Sequence, residues 1–218
     1  MDLAVHNRAD TVIFPELSIT GYEPELAKEL ATNQDDSRLD DFQKIANIKQ
    51  ITIGVGVPTK NNAGICISMV LFQPHKGRQT YSKRYIQPDE EEFFVSGQDS
   101  IGLIGNKNNI AIAICYELSV SEHSDSAFRS GAEVYVASVA KSVNGFEKAF
   151  ESLSEIACRY SMTVLMSNCL GQCDNFEIAG KTSAWNNKGL LIGQLDDTNE
   201  GIIVIDTDTQ KQHKINCH

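Results

Sequence analysis

Short runs of Val and Ile, separated by helical stretches, constrain the fold of this chain most. Runs of β-forming residues predict nine strands, at residues 11–14, 51–57, 65–72, 80–85, 110–115, 133–138, 163–167, 190–194 and 202–206. Apolar residues at helical spacing predict helices at residues 37–49, 121–130 and 147–160, and Asn144 with Glu147 indicates a capping box for the last. Residues 63–72 and 80–85 predict a hairpin. This mixture favours two sheets packed face to face, with helices outside.

Three of the predicted strands end at a side chain that can take part in acyl chemistry. They lead to Glu16, Lys83 and Cys115 respectively. In α/β sheets, functional groups collect beyond the carboxyl ends of the strands, so the three ends can meet at one pocket. A carboxylate can shuttle a proton, an ammonium supplies a fixed positive charge, and a thiol becomes a nucleophile once deprotonated. These are the groups needed to split an amide through a thioester.

The residues around these three side chains resemble the signatures of the nitrilase superfamily, the Glu-Lys-Cys carbon–nitrogen hydrolases. FPELSITGY at residues 14–22 is similar to the first signature, YSKRYI at residues 81–86 to the second and AICYE at residues 113–117 to the third. Weaker similarities follow at residues 93–97, 129–132, 168–171 and 180–193. The resemblance implies an α/β fold, a four-layer αββα sandwich of the nitrilase type, as a single domain over residues 1–218.

The chain departs from this family at its N-terminal end. Members usually begin with a strand and a long helix before the first signature, whereas only residues 2–10 precede it here. We therefore expect the sandwich to lack the first N-terminal strand and helix. Because that strand lies inside a sheet in the family, its loss should expose unpaired backbone groups and apolar surface.

The chemistry of each group predicts its role. Cys115 is expected to attack the amide carbon, with Glu16 as the proton shuttle. The Lys83 ammonium and the backbone N–H of Tyr116 are expected to hold the oxyanion. A free cysteine at a strand end is more often a small buried apolar residue, and we keep that interpretation for Cys66, Cys158 and Cys169. For Cys115 the accompanying motifs favour the nucleophile.

Further site residues follow from the resemblance. The family has a second glutamate shortly before its aromatic pair, and Glu90 best matches that spacing, which makes it the expected partner of Lys83. Glu91 and Glu92 are expected to face solvent. Tyr22 and Glu117, the last residues of the first and third signatures, are candidates for the substrate pocket.

Composition excludes several other classes of protein. The net charge of −10 over 218 residues disfavours a nucleic-acid binder, which would carry a basic stripe. No apolar run is long enough to span a bilayer and no signal peptide is predicted, so the six cysteines indicate free thiols in the cytoplasm. Neither a cofactor nor a metal site is predicted, because Cys169 and Cys173 lack further ligands at zinc spacing.

The substrate class is less constrained than the reaction. Carbamoyl-acid hydrolases of the family carry arginines just beyond the cysteine, whereas the first arginine here is Arg129, which disfavours a carboxylate-bearing substrate. True nitrilases usually have Trp after the cysteine; this chain has Tyr116, as amidases do. Hydrolysis of a small amide is therefore expected, and N-acyl transfer, nitrile hydrolysis and a non-catalytic scaffold stay open. The resemblance also implies a homodimer or a higher homo-oligomer, paired through residues 147–160 and the C-terminal segment.

Overall fold

A computed structural model of the protein describes residues 1–98, 102–173 and 176–217. Its strands are β1 Thr11–Ile13, β2 Thr52–Lys60, β3 Ile65–Phe72, β4 Gln79–Ser82, β5 Ile110–Ile114, β6 Val134–Val139, β7 Thr163–Asn168, β8 Gln172–Cys173, β9 Phe176–Glu177, β10 Ser183–Trp185, β11 Leu191–Gln194, β12 Gly201–Asp206 and β13 Lys211–Asn216. Its α-helices are α1 Asp2–His6, α2 Ala27–Leu30, α3 Asp40–Lys49, α4 Ser121–Arg129 and α5 Val143–Tyr160. Short 3₁₀ turns span Pro24–Leu26, Ser37–Leu39, Pro88–Glu90 and Cys115–Ser119.

Two sheets form the centre of the molecule. The first has the order β1-β2-β3-β4, with β1 parallel to β2 and the other neighbours antiparallel, so the predicted β3–β4 hairpin is confirmed. The second has the order β11-β10-β7-β6-β5, in which β5, β6 and β7 run parallel. Strands β12 and β13 pair with each other, as do β8 and β9.

The alternation of side chains along β3 shows how the layers stack. Ile67, Met69 and Leu71 belong to the main core, which also holds buried residues of β5, β6, β7 and the helices α4 and α5. Val70 and Phe72 point the other way, into a second core with α3. Because successive side chains of a strand face opposite sides, one sheet thus separates the two cores. The order of layers is α3, first sheet, second sheet, then α4 and α5, which is the expected αββα sandwich.

The longest helix, α5, differs at its start from the sequence prediction. The predicted capping box of Asn144 with Glu147 is wrong: the helix begins at Val143, and Ser142 is its N-cap, accepting a hydrogen bond of 3.2 Å from the Gly145 N–H. The hydroxyl of Ser142 satisfies one of the N–H groups that a helix start leaves without an acceptor. The apolar face was predicted correctly, since Leu153 and Ala157 are fully buried.

The N-terminal region contains an edge strand of the first sheet. Among the described residues β1 pairs with β2 alone, which leaves it at the edge of its sheet. Residues of β1 and β12 both line a cleft of about 920 Å³ beside this edge. Helix α1 was not predicted; its Ala4 is buried in the same core as Ile53 of β2. None of the described helices is both long and apolar enough to cross a membrane.

Candidate active site

The three predicted catalytic side chains follow the ends of three strands, two of which belong to the first sheet. Glu16 lies after β1, Lys83 after β4 and Cys115 after β5. All three are almost completely buried, with exposed fractions of 1%, 0% and 6% respectively. Strand β5 ends where it does because Cys115 has a φ of +44°, a left-handed conformation that a strand cannot contain. A non-glycine residue in this conformation costs about 1–3 kcal/mol and is typical of functional sites.

The Lys83 ammonium lies between two carboxylates. Its Nζ is 3.0 Å from Oε1 of Glu16, and 2.7 and 2.8 Å from the two oxygens of Glu90. Burial alone would lower the pKa of Lys83, but the negative charges of Glu16 and Glu90 raise it above its ordinary value. The lysine therefore stays charged, as an electrostatic role requires.

Glu90 is the acidic residue of the run at residues 89–92 that reaches Lys83. It is buried, whereas Glu91 and Glu92 are exposed. Its carboxylate also accepts hydrogen bonds of 2.8 Å from the Tyr22 hydroxyl and 2.9 Å from the Gln87 N–H. The 3₁₀ turn Pro88–Glu90 directs Glu90 back toward Lys83.

Glu16 contacts both sheets through its carboxylate. Oε1 contacts Lys83, and Oε2 accepts a hydrogen bond of 3.2 Å from the Ala140 N–H, just beyond β6. Burial raises the pKa of Glu16, while the positive charge of Lys83 opposes this rise. A raised pKa makes the Glu16 carboxylate a stronger base, which suits removal of a thiol proton.

The Cys115 thiol is neutral in the resting site. Burial, together with the charge of Glu16, raises its pKa to about 11, although Lys141 and Lys83 act in the opposite direction. Attack by this sulfur therefore requires a base that removes its proton during the reaction. A 3₁₀ turn begins at Cys115, and the Tyr116 N–H lies in its first turn. An N–H group at the start of a helix has no acceptor within that helix, so this one can donate to another group.

The two candidates for the substrate pocket differ in their placement. Tyr22 is only partly buried, binds Glu90 and packs edge-on against Phe176, with ring centroids 5.8 Å apart. Glu117 is a correction: one of its carboxylate oxygens accepts from the Arg84 N–H and the other from the Ile114 N–H, so its side chain is engaged with the main chain and not directed into a pocket.

Sequence reasoning missed one charged residue of the site, Lys141. It is half-buried, and its positive charge acts on both Glu16 and Cys115. Asn168 fixes its backbone: Oδ1 accepts from the Lys141 N–H at 2.8 Å, and Nδ2 donates to the Lys141 and Gly180 carbonyls. The only signal in the sequence was a lysine directly after an apolar strand, which is usually a solvent-facing charge.

Comparison with known proteins identifies the class to which this fold and site belong. The family model of carbon-nitrogen hydrolases matches residues 1–214. The chain therefore belongs to the carbon–nitrogen hydrolase family, within the nitrilase superfamily. Comparison with curated protein sequences finds no match.

Solved structures with the same fold come from the amidase of Nesterenkonia sp. AN1. The NitN amidase after tag removal has a TM-score of 0.76 and 20% identity, covering 89% of this chain and 78% of its own. A cysteine-to-alanine mutant in complex with butyramide has a TM-score of 0.80 and 18% identity, covering 99% and 80%. At these identities the similarity establishes the fold.

The pH dependence of Cys115 alkylation tests the electrostatics of the site. We expect the rate with iodoacetamide to rise with pH as the thiol deprotonates, with an apparent pKa near 11. Lys141→Met should move this pKa upward because a positive charge that favours the thiolate is lost. Glu16→Gln should move it downward because a negative charge is lost.

The readout is intact-protein mass spectrometry, with the adduct mapped to Cys115 in a chain whose exposed Cys158 and Cys217 are replaced by serine. Lys148→Met is the matched control, since Lys148 is exposed on α5. Shifts in the same direction for Lys141→Met and Glu16→Gln would contradict the electrostatic assignment.

Proposed function

We propose that this protein is an amidase that hydrolyses small linear amides through a thioester on Cys115. The products are a carboxylic acid and ammonia or an amine. One observation carries the proposal: an ammonium and two carboxylates are buried together beside a thiol held on left-handed backbone. Such a cluster is costly to bury, and its charges match those that develop during acyl transfer.

Acylation begins with removal of the thiol proton by the Glu16 carboxylate while the sulfur attacks the amide carbon. The carbonyl oxygen then becomes an oxyanion, held by the Lys83 ammonium and the Tyr116 N–H. Glu16 is neutral at this stage, which weakens its 3.0 Å contact with Lys83 and frees an N–H for the oxyanion. Glu16 next gives its proton to the leaving nitrogen, the C–N bond breaks, and a thioester is left.

Deacylation repeats the sequence with water. Glu16, again a carboxylate, takes a proton from the water as its oxygen attacks the thioester carbon. Lys83 and the Tyr116 N–H stabilise the second oxyanion. The C–S bond breaks, the sulfur recovers the proton from Glu16, and the acid leaves. No group beyond these residues and one water molecule is needed to balance the reaction.

Among the reactions of carbon–nitrogen hydrolases, the comparisons support hydrolysis of an amide. The Nesterenkonia amidase binds butyramide in one structure, and in another it carries the acetamide moiety of fluoroacetamide on its active-site cysteine. Tyr22, partly exposed and bound to Glu90, is the residue we propose to contact the substrate. N-acyl transfer would use the same thioester with an amine in place of water, and nitrile hydrolysis would use the same cysteine.

We also propose that the enzyme works in the cytoplasm as a homodimer. Five cysteines, Cys115, Cys158, Cys169, Cys173 and Cys217, are free thiols, which suits a reducing compartment. Helices α4 and α5 carry exposed apolar side chains on the outside of the sandwich: Phe128 is 51% exposed and Val143 is 55% exposed. Pairing of two copies through these helices would bury both.

Ammonia release from a panel of amides tests the function. We expect turnover of at least one neutral amide such as acetamide or butyramide, and the panel includes the anionic succinamate because the cation Lys141 lies by the site. Cys115→Ala should reduce turnover by at least about 10³-fold, since only the nucleophilic sulfur is lost. Replacing Cys66, Cys158 or Cys217 by serine should leave the rate within about twofold.

Added amine acceptors separate acyl transfer from hydrolysis in the same assay. Equal ammonia release by Cys115→Ala and the parent protein would refute the nucleophile. Absence of turnover on every amide, with the fold intact, would favour the scaffold alternative.

An activated ester separates the roles of Glu16 and Lys83. Its leaving group needs no proton, so Glu16→Gln should be acylated at a substantial rate and then deacylate slowly, accumulating an adduct on Cys115. Lys83→Met should show little adduct because the oxyanion loses its counter-charge. Intact-protein mass spectrometry measures both. Normal amide turnover by Glu16→Gln, or an adduct on another cysteine, would contradict the mechanism.

Sedimentation tests the homodimer. At micromolar concentration we expect a mass twice that of the 24.0 kDa chain. Phe128→Asp should shift the protein toward monomer by placing a charge in the proposed interface, whereas Ile48→Asp on the exposed face of α3 should not. A parent protein that sediments as a monomer would contradict the proposal.

A further inference from the structure

The side chain of Glu117 makes contacts that its position after the cysteine did not predict. It is fully buried, and it accepts hydrogen bonds of 2.7 Å from the Ile114 N–H and 2.7 Å from the Arg84 N–H. The Tyr81 hydroxyl lies 2.8 Å from each of its oxygens. All these contacts come from donors, which is the arrangement that a carboxylate, an acceptor-only group, requires.

The two N–H groups lie on segments that come from different sheets. Ile114 immediately precedes Cys115 and ends β5, a strand of the second sheet. Arg84 immediately follows Lys83, just beyond β4 of the first sheet. One carboxylate thus joins the main chain next to the nucleophile to the main chain next to the ammonium. The sequence predicted a strand that continues to Tyr85, but β4 ends at Ser82. Beyond it, the Arg84 N–H bonds to Glu117 and not to a neighbouring strand.

A chain of neutral groups holds Glu117 in this orientation. His123 contacts the Tyr81 hydroxyl through Nε2 at 2.9 Å and the Tyr135 hydroxyl through Nδ1 at 2.8 Å. Since Tyr81 donates to Glu117, its oxygen accepts from Nε2, and Nδ1 accepts from Tyr135. Burial and the charge of Arg84 lower the pKa of His123 to about 4, so the imidazole is neutral near pH 7.

The hydrogen bond from the Ile114 N–H to Glu117 also helps to hold the backbone of the next residue, Cys115. The left-handed φ of Cys115 is unfavourable for a residue with a side chain, and surrounding contacts must maintain it. The Glu117 carboxylate holds the peptide that enters this turn, while its second bond holds the peptide that leaves Lys83. Loss of either bond would release one of these two main-chain segments.

We propose that Glu117 is a positioning residue that fixes the Cys115 thiol relative to the Lys83 ammonium. The proposal rests on the function proposed above. Glu117 does not touch the reacting atoms. It acts through the main chain on both catalytic side chains, so its removal should impair a reaction that needs sulfur and ammonium together more than one that needs the sulfur alone.

Two reactions of Cys115 distinguish this role from general structural support. Acylation by p-nitrophenyl acetate passes through an oxyanion and uses both groups, whereas alkylation by iodoacetamide uses only the thiol. In Glu117→Gln, whose amide cannot accept both N–H bonds, we expect acylation to fall about 10- to 100-fold. Alkylation should fall by no more than about threefold. Glu122→Gln, the same substitution at an exposed position on α4, should change neither rate.

The outcomes separate this proposal from the one on which it rests. Equal losses in acylation and alkylation, or unchanged acylation, would overturn the positioning role. If the parent hydrolyses no amide but is acylated at Cys115, amidase function fails while the positioning test stands. If the parent is alkylated but never acylated, both fail.

Folding of the variants is checked by thermal unfolding. Should Glu117→Gln not fold, Glu117→Asp takes its place, because it keeps the charge but is one methylene too short to reach both N–H groups. A folded Glu117→Asp that acylates at the parent rate would refute the proposal. Acylation reduced about tenfold, with alkylation preserved, would support it.

Discussion

The buried ammonium of Lys83 is the interaction on which the rest of this site depends. Removing a charge from water costs several kcal/mol unless partners replace its hydration. Glu16 and Glu90 supply three oxygens within 3.0 Å of Nζ. Two carboxylates around one ammonium leave an excess negative charge, which the Ala140 N–H, the Gln87 N–H and the Tyr22 hydroxyl stabilise from other segments. The loops after β1, β4 and β6 are thereby held at one point.

In the proposed mechanism this arrangement couples proton transfer to stabilisation of the oxyanion. In the resting site burial and the charge of Glu16 disfavour the thiolate and raise the pKa of Cys115 to about 11. Once Glu16 takes the thiol proton, it no longer competes as a charge for Lys83. The ammonium can then turn toward the oxygen on which negative charge develops. Glu90 keeps its two contacts throughout and holds Lys83 in place, so the site needs no large rearrangement between the two steps.

Much of the fold could be predicted from the sequence, as could the positions of Glu16, Lys83 and Cys115 beyond strand ends, because both depend on local patterns. Short runs rich in Val and Ile predict the strands, and the three signatures stand where strands end. Strand β13 was missed because its segment is mostly polar and is stabilised by pairing with β12. The start of α5 was misplaced because two nearby residues, Ser142 and Asn144, could each cap it.

The proposed roles of Glu117 and Lys141 could not be predicted from the sequence, for a different reason. Each depends on a contact with a segment distant in sequence: Glu117 with Arg84, and Lys141 with Asn168. From the sequence, a glutamate two residues after Cys115 is expected in the pocket. Only the position of the segment beyond β4 shows that it accepts from the Arg84 N–H. Likewise, a lysine after a strand is expected at the surface. Only the position of Asn168, at the end of β7, shows how the main chain of Lys141 is held at the site.

The way in which each catalytic side chain is fixed explains why the sequence motifs are short. A Cβ on Gly56 would lie 2.3 Å from the Leu17 nitrogen and 2.6 Å from the Pro15 oxygen, so β2 can approach the loop that carries Glu16 only because residue 56 has no side chain. A Cβ on Gly97 would lie 2.4 Å from the Ser82 oxygen, and the Gly97 N–H donates to the Lys83 carbonyl at 2.7 Å. The acid and the ammonium are thus held through close backbone contacts, which constrain few side chains. The thiol differs, since the main chain that leads into its turn is held by a side chain, that of Glu117, which accepts from the Ile114 N–H.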